Sequence, residues 1–283
     1  MSFSVNTNTG AMAALQSLNM TSKALNTTQS RINTGLNVGS TKDDSAVYTT
    51  AQKLRGDLGG LKSVTSSLSR AKSVTDVAVA GAEQIDDLVN QMSAKAYQAA
   101  DAGIDASSLA GINKDFTALR DQITTIVNAS SFNGTNLLKA SGGTVTALQS
   151  LQDGGAAAGY DPDSLSVANV GLDLGGSVIT VGATDNIDTT AKATAMVDTL
   201  KTTQDNLRNV LSTLGSASRQ IDQQAAFTSK LSDVIEGGIG NLVDADLAKE
   251  SAKLQALQVK QQLGVQALSI ANQAPQTITS LFR

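Results

Sequence analysis

Apolar residues recur along this chain at alternating three- and four-residue steps, most regularly between Leu61 and Ala99. Leu61, Val64, Leu68, Ala71, Thr75, Ala78, Ala82, Ile85, Val89, Met92, Ala96 and Ala99 fall on that spacing, and all but Thr75 are apolar. Lys62, Ser66, Ser69, Lys72, Asp76, Gln84 and Asp87 occupy intervening positions. Such a repeat keeps one narrow stripe facing a partner helix. It predicts a coiled-coil seam on a helix about 60 Å long, from a rise of about 1.5 Å per residue. A second seam follows at Leu109, Ile112, Phe116, Leu119, Ile123 and Ile126. Asp101-Ala102-Gly103 between them reads as a helix stop, and Asp105 or Ser107 as the cap of the restart. Together they predict an antiparallel helix pair. A third, weaker seam runs through Val197, Leu200, Leu207, Leu211, Leu214, Ile221, Ala225 and Ile235, interrupted by Gln204, Gly215, Ser218 and Thr228.

The two ends carry helical patterns of a different kind. Met12, Leu15, Leu18, Met20, Leu25 and Ile32 mark one helix. Leu242, Val243, Leu247, Leu254, Leu257, Val259, Leu263, Val265, Leu268 and Ile270 mark another, on which apolar residues occupy more than one face. Two isolated helices cannot bury such surfaces on each other. Each stranded Leu or Ile forgoes about 1.5–3 kcal/mol of burial, and a large apolar patch marks an interaction site. The expectation is that copies of the chain bury those faces for one another, through Leu15, Leu18, Leu25, Ile32, Leu247, Leu254, Leu257, Leu263, Leu268 and Leu281.

From about residue 141 to 188 the character changes. Gly142-Gly143, Gly154-Gly155, Gly175-Gly176 and Pro162 punctuate short β-branched pieces such as Ser177-Val178-Ile179-Thr180-Val181. This reads as a hairpin or two, an insertion too small to be an independent domain. The expected fold is therefore mainly α. It is a rod-like coiled-coil bundle with paired N- and C-terminal helices and a small β-hairpin insertion. Its expected divisions are 1–45 with 240–283, 46–140 with 189–239, and 141–188.

Composition narrows the function. Aromatics make up 3% of the 283 residues and charged residues 16%, against roughly a quarter in typical domains, so the core rests on aliphatic seams. A net charge of −4 with no basic cluster excludes a nucleic-acid footprint. There is no Cys and no His, which removes thiolate chemistry, the commonest metal ligand and the commonest general base. No run approaches 18 uninterrupted apolar residues, so no membrane span is expected. The opening stretch lacks the cationic start and apolar core of a secretory signal, so any export should use a route without a cleaved signal.

Several motifs now combine. Val5-Asn6-Thr7-Asn8, Arg31-Ile32-Asn33-Thr34-Gly35-Leu36 with Lys42-Asp43-Asp44, and Ser131-Phe132-Asn133-Gly134 with Leu137-Leu138 stand in that order toward the N-terminus. Ala271-Asn272-Gln273-Ala274-Pro275-Gln276 through Leu281-Phe282-Arg283 closes the chain. In these the sequence resembles the bacterial flagellins, over roughly residues 1–139 and 190–283. The resemblance implies a structural subunit that self-assembles into the extracellular flagellar filament used for swimming. The terminal helices would form an inner tube, the long seams an outer bundle, and the short insertion would face solvent. It further implies export through the flagellar type III apparatus, an export chaperone on the C-terminal helix, and contacts with the filament cap and the hook-filament junction proteins. Many flagellins carry an Arg-Glu-Leu cluster recognised by an innate immune receptor. Ser93, Ala94 and Lys95 stand in its place, so recognition is not expected. The alternatives are a hook-filament junction protein, with similar termini, and a monomeric helical signalling or adhesion module.

Candidate chemistry is thin. Neighbouring carboxylates diverge by about 100° on a helix, so neither Asp43-Asp44 nor Asp86-Asp87 reads as a metal site. Asp86-Asp87 reads as a solvated face. By the resemblance, Asp43 and Asp44 have a structural role in the linker with Gly35, and Arg31 is their expected salt-bridge partner. Gly237-Gly238 and Gly240 read as a turn or hinge and not as a phosphate cradle. The missing His excludes an HExxH peptidase and a Ser-His-Asp triad, so no enzyme activity and no cofactor are expected. Ser141, Ser164 and Ser177 are candidate O-glycan sites, and Asn128 and Asn133 fit the N-glycosylation pattern.

Overall fold

A computed structural model describes residues 7–153 and 162–281; the side chains of residues 152–153 and 274–281 are outside that description. Five helices and one hairpin follow in order: α1 (Thr9–Thr34), α2 (Ser45–Ala99), α3 (Ala106–Ala129), β1 (Val145–Asp153), β2 (Pro162–Val167), α4 (Thr190–Val243) and α5 (Leu247–Leu281). They form two compact units, Met1–Gly56 with Val234–Arg283, and Asp57–Asp233.

The second unit is built on the first predicted seam. All twelve of its residues, Leu61 to Ala99, are buried. Thr75 satisfies its hydroxyl by donating to the Ala71 carbonyl at 2.9 Å, so it sits in the seam without an orphaned group. α2 stops at Ala99, and Asp105 caps α3 by accepting from the Ser107 and Ser108 amides. Lys95 bridges Asp115 at 2.7 Å, which sets α2 and α3 antiparallel as expected. Gly81 then lies against the far end of α3; a Cβ there would collide with Ser130 Oγ and stand 2.7 Å from Leu138 Cδ1. α4 also runs antiparallel to α2, with Lys72 Nζ 3.1 Å from Asp222 and Gln204 Nε2 2.9 Å from Asn90 Oδ1.

Between α3 and the hairpin, Phe132-Asn133-Gly134-Thr135 closes a tight turn, with amide and carbonyl of Phe132 and Thr135 exchanging hydrogen bonds of 2.9 and 3.0 Å. Asn133 and Gly134 take φ of 49° and 80°. Two successive positive φ values define the mirror-image turn that Asn-Gly favours. Leu137 and Leu138 follow, fully buried.

Three expectations need correction. The hairpin pairs Val145 with Val167 and Ala147 with Leu165, buried on one face, while Thr146 and Ser166 stand outside. Ser177–Val181 is not a strand. Its Ile179 and Val181 are buried in the helical core, and the Thr180 amide is taken up by Thr203 Oγ1 at 3.2 Å, a helix side chain in place of a neighbouring strand. Along α4, Thr203 and Val210 are buried although the expected seam omitted them, and Leu211 is only partly buried against the same core. Gly237, Gly238 and Gly240 lie within α4, not at a turn. Burial of Ile239 and Val243 against Val38 and Ala51 outweighs the helix penalty of about 1 kcal/mol per glycine. Residues 141–188 share the second unit's core through Val145, Leu165, Leu172, Ile179 and Ile187.

Candidate assembly surface

In the first unit α1 and α5 pair antiparallel. Asn8 Nδ2 donates to the Ala271 carbonyl at 2.7 Å. Near the middle, the Cβ position of Gly264 lies 3.9 Å from Leu18 Cβ. At the other end Arg31 NH1 reaches Glu250 Oε1 at 3.3 Å. The residues turned inward again alternate by three and four. On α1 they include Ala11, Ala14, Leu18, Thr21, Leu25, Thr28 and Ile32; on α5, Glu250, Leu254, Leu257, Gln261, Gly264, Leu268 and Ala271. Gly35 ends α1 with φ of 71°, a left-handed cap that residues with a Cβ adopt only at a cost. The chain then returns alongside the end of α4: the Asn37 and Val38 amides donate to the Val243 carbonyl, and the Ala245 amide to that of Gly35.

This pairing leaves a greasy exterior. Met12, Leu15 and Met20 of α1 are exposed, as are Leu247, Val259, Leu263, Val265 and Ile270 of α5, with Ile270 at 69%. The expected assembly residues therefore fall into groups. Leu15, Leu247 and Leu263 face outward; Leu25 and Leu257 are buried in the seam; Leu18, Ile32, Leu254 and Leu268 are half-buried along it. The Leu281 side chain lies outside the described residues. Met12, Met20, Val259, Val265 and Ile270 belong to the outward face although the sequence list omitted them. Their spacing from the seam residues was the available signal.

Arg31 does not pair with Asp43 or Asp44, as the sequence suggested; its partner is Glu250 of α5. Asp43 instead accepts from the Ser40 hydroxyl and from the Gly39 and Ser40 amides, closing the linker on itself. These bonds, the Ser40 hydroxyl foremost, hold its carboxyl below the usual range. Asp44 accepts from the Ala46 and Val47 amides and caps α2. Glu250 is buried, with Lys253 3.7 Å away. Burial raises its carboxyl, but the Thr28 hydroxyl, Lys253 and Arg31 together outweigh that and leave it below the ordinary value. Even so, Thr28 Oγ1, Arg31 Nε and Glu250 Oε2 are buried with no hydrogen bond of normal geometry. No group of three or more Asp or Glu able to hold a metal occurs among the described residues. None of their helices is long and apolar enough to cross a membrane.

The class defined by this fold is a helical subunit whose first and last helices pair and present apolar surface outward. The bacterial flagellin N-terminal helical region matches residues 5–142, and the bacterial flagellin C-terminal helical region matches residues 194–282. Flagellin FljM of Caulobacter vibrioides is 45% identical over 99% of this chain and 98% of its own length. A flagellin of Brucella melitensis is 35% identical over 99% of both chains. A solved structure from Vibrio parahaemolyticus, described as a flagellar hook-associated protein, shares the fold: TM-score 0.57 at 12% identity, over 71% of this chain and 100% of that one. The chain belongs to the bacterial flagellins. It is a structural subunit that polymerises with other flagellin subunits into the extracellular filament of the flagellum.

Proposed function

We propose that the outward faces of α1 and α5 are the surfaces by which copies of this chain pack into the inner tube of that filament. The observation that supports this is the row of eight large apolar side chains left exposed on two helices already paired with each other. Each would gain on the order of 1 kcal/mol or more from burying its remaining surface. In this reading Met1–Gly56 with Val234–Arg283 supplies the inner tube, and Asp57–Asp233 the outer layer. Arg31, Gly35, Asp43 and Asp44 then shape the linker. The 141–188 insertion turns its polar residues to solvent, and Ser141, Ser164 and Ser177 are exposed for modification.

The subunit leaves the cell through the flagellar type III route, with an export chaperone on α5, and meets the cap and the hook-filament junction proteins at the filament ends. It performs no catalysis. The innate receptor that reads Arg-Glu-Leu in other flagellins meets a buried Ser93 and a Lys95 held by Asp115, and does not bind. Seeded growth followed by electron microscopy tests the central point. Leu263→Asp should abolish elongation while the circular dichroism spectrum stays unchanged. Normal filaments from that variant would overturn the inner-tube assignment, and a chain that stays single when seeded would favour the monomeric module.

A further inference from the structure

The apolar part of the α1–α5 seam marks its register at one close pair, Leu18 with Gly264, and is less strict at Leu257. Stepping along both helices from Leu18–Gly264 sets Leu25 opposite Leu257 and Ile32 opposite Glu250. If α5 slides by one heptad, Leu257 meets Leu18 or Ile32, so that residue still meets an aliphatic partner. The polar residues behave differently. One slide carries the buried Glu250 carboxylate opposite Leu25, away from Arg31; the other carries it past the end of α1 at Thr34.

We propose that Thr28, Arg31 and Glu250 form a register-selecting polar layer, which pairs α5 with α1 in a single alignment at a cost in stability. A polar residue at one seam position can fix register and partner in this way. The cost is visible in the three buried atoms that lack a formed hydrogen bond. Both slides separate Arg31 from Glu250, and the first also leaves the carboxylate opposite Leu25, so each shifted pairing should be disfavoured by more than about tenfold. The inference concerns pairing within one chain, and stands whether or not the outward faces bury against other copies.

The chain has no cysteine, and the 3.9 Å between Leu18 Cβ and the Gly264 Cβ position lies within disulfide range. The Leu18→Cys/Gly264→Cys pair therefore reports the native register. Leu18→Cys/Leu257→Cys and Leu18→Cys/Ala271→Cys report the two one-heptad shifts. Each pair is oxidised in the full chain, in dilute solution and in seeded filaments, with the natural layer and with Thr28→Val/Arg31→Leu/Glu250→Leu. With the natural layer only 18–264 should close. With the apolar layer, a shifted disulfide should appear at a comparable rate, and the swap Arg31→Glu/Glu250→Arg should restore the single native product. Exclusive 18–264 closure in the apolar variant would overturn the proposal. So would loss of every disulfide in that variant, since the layer would then hold the helices together without selecting register. Failure of 18–264 to close with the natural layer in either state would overturn it as well.

Discussion

Two leucines six residues apart on α5 separate subunit folding from subunit assembly. Leu257 is 8% exposed in the seam with α1, and Leu263 is 57% exposed on the outer face. A carboxylate at 257 is buried without a partner and should break the helix pair, costing about 3 kcal/mol or more. At 263 it should change subunit stability by no more than about 0.5 kcal/mol. Both variants should fail to polymerise, but only Leu257→Asp should lose protection of the α1 and α5 amides in hydrogen exchange. Gly81 offers a residue-scale test of the second unit. Ordinarily Gly→Ala inside a helix stabilises by about 1 kcal/mol. Here the new methyl group collides with Ser130 and Leu138, so Gly81→Ala should instead cost roughly 1–3 kcal/mol and lower the melting temperature.

At the scale of the element, the α1–α5 pair should respond to acid. The Glu250 carboxyl is held below its ordinary value, so its charged form favours the folded pair. That contribution is fully present above the unfolded-state pKa, about 4.3, and is lost as the pH falls through the lower folded-state value. Amide protection in α1 and α5 should therefore fall below about pH 4, and Glu250→Gln should flatten this dependence; an unchanged profile in that variant would exclude Glu250 as the group responsible. The sequence displayed the seams of these elements but not their cross-connections. Three-four spacing picked out twelve residues of α2, all of them buried, because a helix fixes which side chains share a face. It could not show that Arg31 meets Glu250, more than two hundred positions away, because no local rule links them. Ser177–Val181 has strand composition but packs by side-chain burial against helices, and β propensity is a preference for such half-buried surroundings as much as for a ladder. Gly237 and Gly238 carry the opposite lesson: local helix weakness yields where neighbouring side chains find a core.

For the whole molecule, each unit has its own set of buried side chains, and the larger core draws only on residues between Asp57 and Asp233. The apolar seam residues from Val64 to Ala99, with Phe116, Ile123, Leu138, Ile179, Leu207 and Ile221, all belong to it. The smaller unit is held by the α1–α5 seam and by Val38, Ala51, Ile239 and Val243. A chain reduced to residues 57–233 should therefore keep its helical signal and melt in one cooperative step. It should also remain a single particle when seeded, because every exposed apolar residue of α1 and α5 has been removed. Sedimentation velocity with and without filament fragments checks this. A fragment that still elongates seeds would move the main assembly surface into the second unit. A fragment that fails to fold would mean that the two cores stabilise each other. A folded, inert fragment leaves the paired ends as the part that converts a stable subunit into a polymer.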